Sequence, residues 1–310
     1  MQQGTKTGRI GRVAAQVASG AMAALVAVAV SGGAGVAGAS SSSTSNTIPT
    51  APESSSINAS VPSSVKSGGL QVAMDATYAP DEFVASDGST IVGMDADLSQ
   101  ALGQVLGVPV HLNNATFDTI IPSLQSGKYN FGASSFTDTK AREKQVDFVD
   151  YFSAGEGYYV KAGSSWKPNG LAALCGHSVA VESGTTEQTD AQAQSAKCKK
   201  SGKKSVNVES FSDQNQANLA VSSGRAQAGF ADSQVAAYIV SQSNGQFANS
   251  GTAFALSTYG LAIPKGLGLT KPVDNALTTL IHDGIYLKIL KKWGVQQGAV
   301  SHPTINGAKS

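Results

Sequence analysis

From Leu70 onward the apolar and polar positions of this chain alternate between two periods. Leu70–Met74 is an apolar run of strand length that ends in Asp75-Ala76-Thr77-Tyr78-Ala79-Pro80. A short run bounded by turn residues predicts a buried strand. After an Asp87-Gly88 turn, Leu98, Leu102, Val105 and Leu106 fall on one face of a 3.6-residue period and predict a helix opening at Gly93-Met94-Asp95-Ala96-Asp97. A strand at Pro109–Leu112, a helix near Asp118–Ser126 stopped by Gly127, and a half-apolar strand at Tyr129–Ala133 follow. Alternation of strand and helix predicts a mostly parallel sheet with helices on its faces, and such sheets bind ligands at the carboxyl ends of their strands. Those ends are Asp75–Tyr78, Asn113–Phe117 and Ser134–Arg142.

The plan repeats between Gly176 and Asn244. Ser178–Val181 and Ser205–Glu209 read as strands, Gly184-Thr185-Thr186 opens one helix, and Gln214–Ser222 forms another. Gly224-Arg225-Ala226-Gln227-Ala228-Gly229-Phe230-Ala231-Asp232 then echoes Gly127-Lys128-Tyr129-Asn130-Phe131-Gly132-Ala133. Two like halves predict two lobes with strand ends facing each other. The strand Tyr259–Lys265 and the helices Lys271–Asp283 and Tyr286–Trp293 are too little for a third domain and return to the first lobe. The chain would then cross between lobes near Gly155–Lys161 and Gly251–Thr258, and two crossings make a hinge. The expected division is lobe 1 over 66–158, lobe 2 over 159–254, a return segment over 255–300 and a tail over 301–310.

The N-terminal stretch breaks the pattern. Lys6, Arg9 and Arg12 precede the apolar run Ala21–Val30, and Ala37-Gly38-Ala39 offers a cleavage site, so residues 1–39 read as an export signal. Ten apolar residues are too few to span a bilayer. Residues 40–65, rich in Ser, Thr and Pro, read as a flexible tether. No Cys near the cleavage site could accept a lipid, so the chain is expected to be exported to a periplasmic or extracellular place without that anchor. The formal charge of +1 loses three cations with the signal and becomes −2, which favours no nucleic acid. Charged residues are 14% of the chain, against roughly 25% in ordinary domains. In an exported protein the only two cysteines, Cys175 and Cys198, read as one disulfide, worth roughly 3 kcal/mol in the chain-entropy model.

Candidate chemistry gathers where strands end. Thr139 can cap a helix that carries Lys140 and Arg142 in its first turn. A cation at that end is unfavourable unless an anion joins it, and a guanidinium beside hydroxyls and free N–H groups suits one carboxylate. The plainer reading of Arg142 is a solvated surface residue. Gly184 to Thr186 at a helix start can offer N–H groups to an anion, while Asp232 either faces the cleft or caps the next helix. Asp95 and Asp97 are expected to cap their helix and complement its dipole. His111, His177, His282 and His302 show no metal spacing, and no nucleotide loop or G-x-S-x-G element occurs, so no cofactor is expected. Trp166 and Trp293 read as packing.

Taken together in order and spacing, D-A-T-Y-A-P, G-M-D-A-D-L, F-D-T-I-I-P-S-L-Q-S-G-K, S-S-F-T-D-T-K-A-R, V-D-F, G-T-T, G-R-A-Q-A-G-F-A-D and D-G-I-Y-L-K-I-L-K-K-W-G resemble the family 3 extracytoplasmic solute-binding proteins of ABC amino-acid importers. The resemblance runs from Leu70 to about Gly294. It implies the type II periplasmic binding fold, a monomer, a free amino acid held between the lobes, and delivery to a membrane permease. It also implies residue roles. Arg142 would hold the α-carboxylate with Thr137 and the N–H groups near Thr185 and Thr186, and Asp232 with the backbone near Ser135 would hold the α-ammonium. Tyr78 and Phe117 would cover the ligand, Asp75 would reach its side chain, and Ser134 and Phe136 complete the set. Asp75 would favour a cationic or amide side chain. Asp81-Glu82-Phe83 departs from the family, where Pro-Phe commonly stands, and blurs the side-chain pocket. The rival reading is an enzyme on the same fold, such as a cyclohexadienyl or arogenate dehydratase, with Glu82 or Glu156 as its acid.

Overall fold

The computed structural model of the protein describes residues 48–309. Two short helices, α1 (Ser55–Ser60) and α2 (Ser63–Gly68), lead into β1 (Leu70–Met74). A small antiparallel sheet of β2 (Thr77–Tyr78), β3 (Glu82–Val84) and β4 (Ile91–Val92) follows. Next come α3 (Met94–Leu106), β5 (Val110–Asn114), α4 (Phe117–Gln125), β6 (Phe131–Gly132) and the single-turn α5 (Lys140–Glu143). β7 (Val146–Lys161) then carries the chain to β8 (Ser178–Glu182), α6 (Thr186–Lys200), β9 (Asn207–Phe211), α7 (Gln214–Ser223), β10 (Ala228–Asp232) and α8 (Ser233–Gln242). β11 (Phe247–Pro264) runs back to α9 (Thr270–His282), α10 (Ile285–Trp293) and β12 (Ala299–Ile305).

The predicted alternation is present, and its geometry follows from burial. β1 pairs in parallel with β5 and β6, and β8 pairs in parallel with β9 and β10. The helix face predicted for Leu98, Leu102, Val105 and Leu106 is fully buried. Gly107 ends α3 in the left-handed region at φ 66°, and its N–H closes on Gln104 and Gly103 carbonyls, a conformation that costs glycine least. The first lobe is packed around β1, β5, β6, α3, α4, α9 and α10, with the returning helices in the same core as Leu70 and Leu98. The second is packed around β8, β9, β10, α6, α7 and α8. Cys175 and Cys198 are joined there, 5.7 Å apart at Cα, tying α6 to the chain before β8.

The crossings fall where expected, near Gly155–Lys161 and Gly251–Thr258, and they lie within the two longest strands: β7 and β11 pair antiparallel from Val146↔Pro264 to Lys161↔Phe247 and join both lobes in one nine-stranded sheet, ordered β5-β1-β6-β11-β7-β10-β8-β9 with β12 on β7. Register shifts interrupt the pair between Ser250 and Phe254, Phe254 and Ser257, and Tyr259 and Gly260. Bulges bend a strand without breaking it, and the Ser/Gly/Thr content of 250–258 hid a strand that is only partly buried there.

Residues 48–65 are not a free tether. Ile57, Val61 and Val65 recur every four residues and are buried with Ala51 in the first-lobe core. Ser54 caps α1 and donates its N–H to the Val105 carbonyl at 3.0 Å, while Asn58 Nδ2 donates to the Leu106 carbonyl at 2.8 Å. A few apolar groups at helical spacing on an existing core outweigh the polar composition. Within the expected tail, residues 301–309 pack against the first lobe. Thr304 and Ile305 pair with Asp150 and Val149, Asn306 Oδ1 accepts from Phe148 N at 2.7 Å, and Ala308 N donates to Asp138 at 3.1 Å. The export signal and residues 40–47 lie outside the described residues.

Asp95 and Asp97 do not cap α3, whose N-cap position is Gly93 without a side-chain bond. Asp97 instead accepts from Lys292 Nζ at 2.7 Å and Trp293 Nε1 at 2.8 Å, docking α10 on α3. Asp95 turns to Tyr151 and Ser135, toward the cleft.

Candidate functional site

Thr139 caps α5 as its sequence position predicts, accepting from Arg142 N at 3.2 Å. The cap fixes the turn that carries Arg142. Its guanidinium lies 5.4 Å from the centre of the Phe117 ring and 5.6 Å from that of Phe136, and these rings stack on each other at 4.7 Å. Nη1 donates to the Thr137 carbonyl at 2.8 Å, and Nη2 crosses to the second lobe and donates to the Gly184 carbonyl at 2.9 Å. Two aromatic faces and two carbonyls hold the fork in one plane, leaving further N–H donors for an anion. Burial pulls the Arg142 pKa down, and the charges of Glu187 and Asp232 oppose that.

The second lobe faces it with the start of α6 and the end of β10. Gly184 turns the chain at φ 82°, where a Cβ would stand 2.9 Å from the Asp118 side chain, so glycine permits the close approach of the lobes. Thr185 caps α6 by accepting from Gln188 N, and Thr186 Oγ1 lies 3.4 Å from Thr137 Oγ1 across the cleft. Asp232 holds the N-cap position of α8 without making the cap bond. Its carboxylate is therefore not spent on the helix, and its backbone N–H points to Tyr78 Oη at 3.5 Å.

Arg142, Asp232, Tyr78, Phe117, Ser135, Thr137, Thr185 and Thr186 border one cavity of about 10 Å³ between the lobes, so the sequence brings most of its candidates together. A wider cavity of about 380 Å³ shares Arg142, Thr185, Thr186 and Asp232 and extends to Glu156 and Tyr259. Asp75, Ser134 and Phe136 do not border the small cavity. Asp75 lies behind Phe117, accepting from its N–H at 3.0 Å and from Thr77 Oγ1 at 2.7 Å. Ser134 Oγ accepts from Asp75 N at 2.9 Å and donates to Glu82 at 2.8 Å, and Phe136 lies beneath Phe117. Ser135, at φ 47°, turns its hydroxyl to Asp81 and its N–H to Asp95, each at 2.9 Å.

Three acids at the cleft stand outside the ligand-binding set that the sequence suggests. Glu187 borders the small cavity from the first turn of α6, where a carboxylate reads as a dipole partner. It accepts from its own backbone N–H and from Thr186 Oγ1 at 3.2 Å, the helix end expected to take an anion. Glu182, the last residue of β8, is 1% exposed and has no donor on either carboxylate oxygen. Glu156 was noticed only as a possible enzymatic acid; it pairs with Asp232 across β7 and β10 and borders the wide cavity. Its apolar burial, with Glu187 and Asp190 nearby, pushes its pKa up to about 9. Burial likewise pushes Asp232 well up, helped by Glu187 and Asp81, and raises Glu187 and Asp75. The cleft thus opposes one half-buried guanidinium to a surplus of buried carboxyls whose burial and mutual repulsion favour their protonated forms.

Residues 70–296 match the model of the bacterial extracellular solute-binding proteins, family 3. The chain belongs to this family. Among the family 3 relatives is the arginine-binding protein ArgT of Corynebacterium glutamicum, 33% identical over 252 residues that cover 81% of this chain and 82% of the relative. A solved structure of an ancestral arginine-binding protein bound to arginine has a TM-score of 0.66 at 36% identity, covering 72% of this chain and 97% of that one. An ancestral amino acid-binding protein that is a precursor of cyclohexadienyl dehydratase has a TM-score of 0.66 at 34% identity, covering 74% and 97%. The fold is that of type II periplasmic amino-acid-binding proteins, and the chain is an amino-acid-binding component of the ABC importer class.

Proposed function

We propose that this exported protein captures an L-amino acid with a cationic side chain, arginine foremost, between its lobes and delivers it, as a monomer and without chemistry, to a membrane permease. The observation that carries the reading is the charge balance of the cleft: among the described residues that line it Arg142 is the one Lys or Arg, set against Asp232, Glu187 and Glu156, with Glu182 and Asp75 buried behind. One guanidinium matches one α-carboxylate, and the free N–H groups of Arg142 with Thr137 and the start of α6 suit it. Asp232, free of its capping bond, suits the α-ammonium. A neutral side chain would leave the other acids buried without compensation, which is costly once they ionise. The arginine-binding relatives support the same choice.

Calorimetric titration with arginine, lysine, histidine, glutamine and glutamate tests this directly. The expected order is arginine tightest and glutamate weakest. Tightest binding of glutamate would overturn it. The dehydratase reading draws on one observation, a buried Glu156 that keeps its proton at neutral pH as a general acid must. No aromatic product is expected from prephenate or arogenate; product formed at the rate of a true enzyme, and lost in Glu156→Gln, would favour that reading instead.

A further inference from the structure

We propose that Glu182 selects the charge of the ligand side chain: with Asp75 it forms a two-carboxylate seat, one acid from each lobe, that closes on a guanidinium or ammonium group. The proposal rests on the reading that the amino acid is clamped between Arg142 and Asp232. Asp75 immediately follows β1 and Glu182 ends β8, so each sits at the carboxyl end of a parallel strand, and the two ends come together where Gly184 packs on Asp118, next to the Phe117 N–H that donates to Asp75, and where Gln214 N donates to Thr77 Oγ1, the other donor to Asp75. The two carboxyl groups are near enough for each to shift the other's titration. They are 3% and 1% exposed.

Their partners differ. Each oxygen of Asp75 already has one donor, Thr77 Oγ1 or Phe117 N, so that carboxylate is held in place. Neither oxygen of Glu182 has a donor, although its backbone is fixed through its carbonyl, which accepts from Thr185 Oγ1 at 2.8 Å. The charged groups facing Glu182 are Asp75 from the end of β1, Asp213 from the start of α7 and Glu187 from α6, all acids. Burial first and Asp75 second push its pKa well up. Two buried acceptors facing each other bond only through a proton or through a donor that enters between them. A guanidinium carries five N–H donors in a plane, enough for both acids, and a neutral amide carries two. Because one acid belongs to each lobe, opening the cleft parts the seat and closing it on a cation expels the proton. Arginine binding therefore releases protons, and a neutral ligand leaves the shared proton where it is.

The test titrates arginine and glutamine into the wild type, Glu182→Gln and Arg142→Ala in two buffers of different ionisation enthalpy at pH 7.5. Glu182→Gln is expected to weaken arginine about 10-fold or more, to leave glutamine within a few-fold of the wild type, and to reduce the protons released per arginine. Glu182→Met, apolar and similar in volume, repeats the measurement without a polar group at the site. Arginine affinity and proton release unchanged in both Glu182 variants, with arginine binding lost in Arg142→Ala, overturn the seat while leaving the clamp intact. Arginine and glutamine weakened alike overturn its role in charge selection. Unchanged arginine binding in Arg142→Ala removes the clamp reading on which the seat rests.

Discussion

At the scale of single residues, the cleft and the packing behind it bury carboxyl groups whose pKa values are raised. Asp95 is pushed up to about 6 by burial, Asp81 to about 7 by burial and the charge of Asp95, and Glu156 to about 9 by burial and the charge of Glu187. Each binds its proton more tightly when folded than unfolded, where the ordinary values are 3.8 for Asp and 4.5 for Glu. Stability from these groups is therefore full below the unfolded value and is lost as pH rises toward the folded one. Each such group costs about 1.4 kcal/mol per pH unit across that interval. The ligand-free protein should melt at a lower temperature at pH 8.5 than at pH 5.5, and saturating arginine should narrow the gap. A melting temperature that rises with pH in the ligand-free protein contradicts this account. Arg142, Asp232 and Thr139 were legible in the sequence because each stands at a strand end or helix start with a chemical reason to be there. Glu182 and Glu187 were not. A strand-terminal Glu and a first-turn Glu have ordinary solvated readings, and only the packing of the second lobe against Asp75 and Arg142 removes the water.

At the scale of elements, periodicity read the core well and composition misled at the edges. The helix faces of α3 and α9 and the strands β1 and β8 were visible because their apolar residues recur at one period over a full element. The α1–α2 pair and β12 were hidden because they add few apolar groups to a core that other elements build. That gives them a measurable weight. A chain beginning at Ser63 loses Ala51, Ile57 and Val61 from the first-lobe core along with the bonds of Ser54 and Asn58 to the end of α3. Burying one Val or Ile side chain contributes about 1.5–3 kcal/mol, so chemical denaturation should show a loss of about 2–5 kcal/mol against the chain that begins at residue 40. Equal stability of the two chains would restore the tether reading. Arginine affinity should change little, since α1 packs on α3 and α9 rather than on the cleft.

At the scale of the whole molecule, two lobes are joined by a bent strand pair, the arrangement that a hinge requires. β7 and β11 join the lobes, and the register shifts in β11 concentrate the bending where the expected crossings lay. The closed arrangement is held by bonds between the lobes: Arg142 to the Gly184 carbonyl, Gln214 N to Thr77 Oγ1 at 3.2 Å, and Gln234 Nε2 to Asp81 at 2.7 Å. These are modest, neutral or singly charged contacts, and on the clamp proposed above an amino acid paired with Arg142 and Asp232 would replace them with charge-assisted ones. The two-lobe plan was legible from the repeated strand–helix alternation; the single continuous sheet was not, because β11 is rich in Gly, Ser and Thr where it joins the lobes. The most direct measurement of the central claim is calorimetric titration of arginine into Arg142→Ala and Asp232→Ala beside the wild type. Truncating one member of a buried charge pair costs roughly 2–5 kcal/mol, so each variant should bind at least about 30-fold more weakly with an unchanged fold. Affinity within twofold of the wild type in either variant contradicts the clamp.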